Sequence, residues 1–365
     1  MSHSLANQKI NWQQLFSLGA LNAAIVISWI AYHNYQPKLL EKFEVTDLSL
    51  FLNIAQALIL ACIPPLAGLI GDYMIRKNGN HFVVTTVGIS ITAMIFMAVA
   101  FTVAGNPMES LKFILPMMIV LWLISMNIFH SPANSMLELF APAHRLPLAM
   151  SVLAVIAELL YALEPVVVNI IDTIGATFTF VTGGVLLLIT GFIFRRTTKE
   201  IQFVRNTASD DDYRDDHFGK IGLIGLAFGL ANAILMNVFP EILNDKISFF
   251  TSESLEGKQY VSVLLVISAV CAVPMSSYVQ NIGVKRSVLI GLALAFSFIS
   301  AVFASEIEAL TVISALLFSI SFSMIAVSAF PFVLENVSDR NVTFGTGLFF
   351  GSFEVADGLM NIFFA

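Results

Sequence analysis

Cys62-Ile-Pro-Pro65-Leu-Ala-Gly68-Leu-Ile-Gly71-Asp72, with Arg76-Lys77-Asn78-Gly79 just beyond it, decides the fold because the chain writes it a second time. The second copy, 209 residues later, is Cys271-Ala-Val-Pro274-Met-Ser-Ser-Tyr-Val-Gln-Asn281, with Gly283-Val-Lys285-Arg286 beyond. In both copies a cysteine stands three residues before a proline, a polar residue stands seven after it, and a short basic loop opens a new apolar run. A further echo at an offset of 210 pairs Gly19-Ala-Leu-Asn22 with Gly229-Leu-Ala-Asn232. One hairpin written in each of two apolar halves predicts two related helical bundles that can rock about a shared midplane cavity.

The composition requires a membrane. Hydrophobic residues make up 57% of the chain and charged ones only 12%, with 32 phenylalanines and a mean hydropathy of +0.84. Apolar runs near the length that spans a bilayer recur at roughly 13–36, 48–71, 81–104, 112–136, 146–168, 173–195, 219–243, 259–280, 284–304, 307–333 and 342–364. They are continuously apolar rather than alternating, which excludes a β-barrel and predicts an all-α integral membrane protein of about 11 helices. Residues 1–195 form the first bundle, 196–218 a cytoplasmic linker loop and 219–365 the second, five-helix bundle. With the N-terminus in the cytoplasm, 13 of the 18 lysines and arginines fall on that side, the bias that sets orientation in an inner membrane.

Much of the formal charge of −7 lies in Asp210-Asp211-Asp212 with Asp215 and Asp216, which reads as a solvated, flexible run. Cys62 and Cys271 read as small buried thiols rather than a disulfide or a metal pair. No phosphate loop, zinc-protease helix or Cys/His metal spacing is present in the sequence, so an enzyme, a bound cofactor and a nucleic-acid partner are not expected.

Pro65-x-x-Gly68-x-x-Gly71-Asp72 ending in Arg76-Lys77-x-Gly79 resembles the loop between the second and third helices of the major facilitator superfamily. The interval of seven residues from Asp72 to Gly79 is similar to the glycoside–cation symporter and sucrose-transporter branch. So are Trp29 with Pro37, and Pro132-Ala-Asn134-Ser-Met-Leu-Glu138-Leu followed by Arg145. Pro331-Phe-Val-Leu-Glu335, Arg340 and Gly345-Thr-Gly347 match it in the second half. This chain departs from that branch at Asn134, where an intramembrane arginine is usual, and at Gly79-Asn80-His81 in place of Gly-Arg-Arg. The eleventh span ends at Ala365, so the twelfth helix of the superfamily is expected to be missing.

The resemblance implies a cytoplasmic gate of Gly68, Asp72, Arg76, Lys77, Gly79, Arg145 and Arg340. Independently of it, a carboxylate at Asp72 is stabilised by a basic neighbour or by the amides of a helix N-terminus, and Arg145 and the start of the last span are the available partners. The simpler alternative is that this block anchors a loop at the headgroups. Intramembrane carboxylates are costly unless paired, protonated or facing water, so Glu158 and Glu164 in the fifth span and Glu354 and Asp357 in the eleventh stand out. Glu158, Glu354, Asp357 and Glu138 are candidates for proton coupling, with Asn361 one turn beyond Asp357.

The superfamily lines its cavity with helices one, four, seven and ten. On those helices Asn22, Tyr32, His130, Asn134 and Asn232 are candidates for binding solute, and Tyr161 joins them as a donor one turn from Glu158. His130, Asn134 and Glu138 fall at intervals of four and read as one polar stripe. Together these features predict a monomeric secondary transporter for a small sugar-like, hydroxylated or zwitterionic solute. Its coupling ion would be a proton, with sodium as the alternative. A transporter-derived sensor or scaffold without turnover is the competing reading.

Overall fold

The computed structural model describes residues 9–43, 48–80, 82–105, 114–199, 201, 215–247 and 257–364. Asp210 to Asp212 and the side chain of Asn361 lie outside the described residues. Among the described residues every regular element is helical, as lipid demands of backbone that must satisfy its own hydrogen bonds. Ten helices among the described residues are long and apolar enough to cross a membrane. In chain order the structure runs α1 (Trp12–Lys42), α2 (Ser49–Asn78), α3 (Phe82–Ala104), α4 (Ile114–Ser135), the single turn α5 (Leu137–Phe140), α6 (Leu146–Ala162) and α7 (Glu164–Ile174). It continues through α8 (Ala176–Thr198), α9 (Phe218–Ala233), α10 (Phe239–Lys246), α11 (Gly257–Ile282), α12 (Val284–Ala304), α13 (Glu308–Glu335) and α14 (Val342–Phe364).

Proline sets three of the interruptions. The span expected at 146–168 is two helices, because Leu163 leaves the helical register and Glu164-Pro165 start a new one. A proline lacks the amide a helix interior needs but fits its first turn. Between α9 and α10 the chain passes through a π-helical turn, Ile234–Val238. Pro240 stands just beyond it and would clash with the carbonyl four residues back in an unbroken helix, a conflict that the wider turn relieves. After α4, Pro142 is extended and leads through a 3-10 turn at Ala143–Arg145 into α6.

The ends of α2 and α11 are closed by Gly79 in the left-handed helical conformation (φ 73°) and by Gly283, also at positive φ (89°), so each copy of the repeated hairpin turns on a glycine. Pro65 and Pro274 both sit inside these helices.

Helix α2 packs along α14, and α6 packs along α11. The first seam is made of small residues. A Cβ on Gly68 or Gly347 would overlap the carbonyl oxygens of Thr343 and Pro64, and one on Gly351 would fall 2.6 Å from that of Ala61. Close backbone approach of this kind is how helices associate where lipid removes any hydrophobic gain. Helix α13 is stitched to α11 by hydroxyls: Ser319 donates to the Leu264 carbonyl, and Ser323 to that of Ser268 at 2.8 Å.

Two sequence expectations change here. Cys62 is exposed and Cys271 half-buried, because position 62 points away from the face of α2 that meets α14. Asp216 is not a solvated residue of the linker. It accepts hydrogen bonds from the Ser338 amide at 2.7 Å and the Asn341 side chain at 2.6 Å, pinning the chain ahead of α9 to the α13–α14 turn.

At the other end of the molecule Lys38 of α1 meets Asp172 of α7 at 2.8 Å, both about half exposed. Lys38 first, and then the Asn34 amide, hold the Asp172 carboxyl below its ordinary range. A depressed carboxyl pKa stabilises the fold above its unfolded value, and that contribution is lost as pH falls through the folded one. Asp172→Asn should therefore flatten the acid limb of a plot of melting temperature against pH. The loss at neutral pH should be small, since the pair is open to solvent.

Candidate functional site

One face of the bundle is sealed. It carries the start of α1, the α2–α3 turn and the segment before α9, and is called here the linker face. The Asp72 carboxylate, 1% exposed, reaches across from α2 to the N-terminus of α14. Its oxygens accept from the Thr343 amide at 3.1 Å and the Phe344 amide at 2.8 Å. Those amides have no partner within their own helix, and the positive end of the helix dipole faces the carboxylate. Beside it Arg76 donates to the Arg340 carbonyl at 3.2 Å.

Asp72→Asn should keep one of the two amides paired and lose the charge. The expected result is a shift of about tenfold toward conformations open at this face, the equivalent of about 1.4 kcal/mol. Labelling of a cysteine placed in the cavity wall, using an impermeant maleimide applied from the linker face, reads that shift. An unchanged labelling rate would remove Asp72 from the seal.

Above the seal a cavity of about 730 Å³ runs to the opposite face. Its wall draws on α1, α2, α4, α6, α7, α9, α10, α11, α13 and α14, so both parts of the chain contribute. On one side Asn22 donates to Asn134 at 2.9 Å, and Asn134 donates to the His130 carbonyl, also at 2.9 Å. The His130 ring lies 4.5 Å from that of Phe350 on α14.

Glu158 is 6% exposed and lines the cavity, yet neither of its oxygens has a hydrogen-bond partner. The Ser268 hydroxyl on the facing helix α11, close enough to influence that carboxyl, has none either. Tyr161, Glu354 and Asp357 line the same space, and Asn237 donates to Asp357 at 3.2 Å. The π-helical turn that carries Asn237 adds a residue to the helix, and such turns often mark functional sites. At the open end Lys258 lies 3.9 Å from Glu164.

Solved structures place this architecture. The chain is similar to the human organic anion transporter MFSD10 (TETRAN), with a TM-score of 0.69 at 12% identity over 97% of this chain and 93% of that one. It is similar to the E. coli fucose:proton symporter FucP, with a TM-score of 0.64 at 12% identity over 94% and 89%. A bacterial homologue of the iron transporter ferroportin in an outward-facing state gives 0.73 at 13% identity over 98% and 91%. The chain has the fold of the major facilitator superfamily transporters. No protein-family model matches the sequence, and no curated protein does.

Within the major facilitator fold the candidates from sequence divide. Asn22 and Asn232, the repeated pair, both line the cavity, as do His130, Asn134, Tyr161, Glu158, Glu354 and Asp357. Tyr32 does not. It is buried behind the wall, stacked on Trp122 at 4.8 Å, and its hydroxyl donates to Gln56 at 2.8 Å. Glu138 is also absent from the wall, because α4 ends at Ser135 and the polar stripe expected to run through 130, 134 and 138 is broken before its last member.

On the linker face, Gly68 serves the close approach of α14, and Gly79 caps α2. Lys77 lies over the Tyr73 ring at 5.8 Å. Arg145 is exposed at the start of α6; of the two partners the sequence offered Asp72, the amides at the start of α14 are seen to hold its carboxylate. Arg340 takes part through its backbone carbonyl. The sequence reading missed Gln56, Asn53 and Lys258 in the wall. Isolated polar residues in the apolar second span were the available pointer.

Proposed function

We propose that the protein is a secondary active transporter that moves a small polar solute across the cytoplasmic membrane by alternating access, with a proton as the coupling ion. The observation that carries this reading is the pairing of a cavity, open at one face and carrying amide and carboxyl side chains in a largely apolar wall, with a seal at the other. The seal is made of hydrogen bonds and glycine contacts between α2 and α14, which can separate without unfolding either helix. Opening that seal while closing the mouth would expose the same wall to the other side. The solved structures named above are transporters or a transporter homologue, which supports the same reading.

In this reading the linker face is cytoplasmic, as the distribution of basic residues suggests, and the described state faces outward. The mouth would close by bringing the outer ends of the two bundles together around the solute. Glu158 is the first candidate for the coupling proton, since a carboxyl group on the wall with no fixed partner can take up and release a proton as the cavity opens to either side. Glu354 is the second. Asn22, Asn134, His130 and Asn232 would supply hydrogen bonds to the solute.

Flux in reconstituted vesicles under an imposed pH gradient tests the proposal. The expected result is uptake or efflux that collapses when a protonophore dissipates the gradient. Absence of gradient-dependent flux across hydroxylated, zwitterionic, cationic and anionic solutes would count against transport and favour a sensor.

A further inference from the structure

Charge in the cavity wall is one-sided. Among the described residues it holds five carboxyl groups, Glu158, Glu164, Glu241, Glu354 and Asp357, against one lysine, Lys258. That lysine sits at the mouth and is already 3.9 Å from Glu164. Deeper in, Glu158 is more than nine-tenths buried with both oxygens unpartnered, and Glu354 and Asp357 share the same space from α14. A neutral hydroxylated solute could donate hydrogen bonds to these groups, but only a cation can pair with their ionised form, and an anion would be repelled by it.

Aromatic faces line the same space: Trp29 on α1, Tyr161 on α6, Phe350 and Phe353 on α14. Rings of this kind attract an ammonium group electrostatically as well as packing against apolar surface. Among the described residues no group of three or more His, Cys, Asp or Glu is placed to hold a metal ion.

We propose that the solute is an organic cation, an ammonium group carried on a compact apolar or aromatic body. Its charge lies among Glu158, Glu354 and Asp357, and its body lies against the aromatic wall. This narrows the solute class of the transport reading above and rests on the cavity being the transport site.

Thermal melting of the detergent-purified full-length chain with small probes tests it, because a ligand raises apparent stability with its occupancy. The probes are benzyltrimethylammonium, benzyl alcohol, phenylacetate, glucose and manganese chloride. Benzyltrimethylammonium should shift the melting temperature saturably, with a half-saturating concentration at least about tenfold below that of benzyl alcohol. Phenylacetate, glucose and manganese should give no shift.

Glu354→Gln and Asp357→Asn should each weaken the ammonium probe by about tenfold. If either variant fails to fold, the selectivity ratio of the wild-type chain still decides. Equal response to the ammonium and the alcohol, a preference for any other probe, or no shift with any of them overturns the proposal. Exchange of labelled benzyltrimethylammonium in vesicles separates the two readings. Selective binding without exchange sinks transport and keeps the cation site, whereas gradient-driven flux of a solute that ignores charge keeps transport and sinks the cation.

Discussion

Gly347→Ala is expected to force the linker face open and, in the proposed transport cycle, to reduce flux by at least tenfold. The added Cβ would fall within the van der Waals surface of the Pro64 carbonyl oxygen, which is backbone and cannot rotate aside. Carbon and oxygen rest no closer than about 3.3 Å in a favourable contact. Helix α14 must therefore move away from α2, and the two hydrogen bonds its amides donate to Asp72 break with it. The clash exists only while the seal is closed, so the variant should fold and then populate the state that opens the other way.

A cysteine at Met150, a lining residue, in a chain whose own Cys62 and Cys271 are replaced, reports the change. Maleimide should reach it from the linker face in Gly347→Ala and from the opposite face in the parent. Labelling from the opposite face in both would show that the α2–α14 seam does not govern access.

In the proposed proton-coupled cycle, Glu158→Gln should abolish uphill accumulation and spare exchange of solute between the two sides. One coupled proton moving down a gradient of about one pH unit is worth about tenfold in accumulation, and that ratio should fall to the equilibrium value. Exchange needs no net movement of protons and should continue. The substitution keeps the shape of the side chain, and no donor in the wall depends on the carboxylate, so the melting temperature should stay close to that of the parent. Retained accumulation in both Glu158→Gln and Glu354→Gln would transfer coupling to Asp357 or to sodium.

The repeated hairpin was legible because it combines features with few other uses: a proline inside an apolar run, small residues at helical spacing, a lone carboxylate and a basic turn ending in glycine. The structure places Asp72 on a helix N-terminus, one of the partners its chemistry allows. It also places Asn22 and Asn232, related by the repeat, on one cavity wall.

Other residues were misplaced for identifiable reasons. Tyr32 reads as a solute ligand until Gln56 is seen to take its hydroxyl, a pairing between helices that spacing along one helix cannot reveal. Glu138 follows a helical period that α4 does not continue. Asp216 sits in an acidic run whose other members suggest solvent, but the α13–α14 turn offers it an amide donor and a side-chain donor.

The sequence by itself determined that the chain is helical and embedded in lipid, roughly where its spans begin and end, and that one hairpin occurs twice. These follow from local quantities: the apolar length needed to cross a bilayer, the backbone hydrogen bonds lipid cannot supply, and the special backbone demands of proline and glycine. Only the tertiary structure decided which side of each helix meets protein. Between Ala57 and Gly71 helix α2 is apolar on every side, so Cys62 on its outer face and Gly68 on its inner face sit in equally hydrophobic sequence. Lipid tails and a neighbouring helix present the same kind of apolar surface, and hydropathy cannot tell them apart. The cavity, the unpartnered carboxyl of Glu158 and the seal at Asp72 all depend on that choice of faces, which is settled by contacts between residues far apart in the chain.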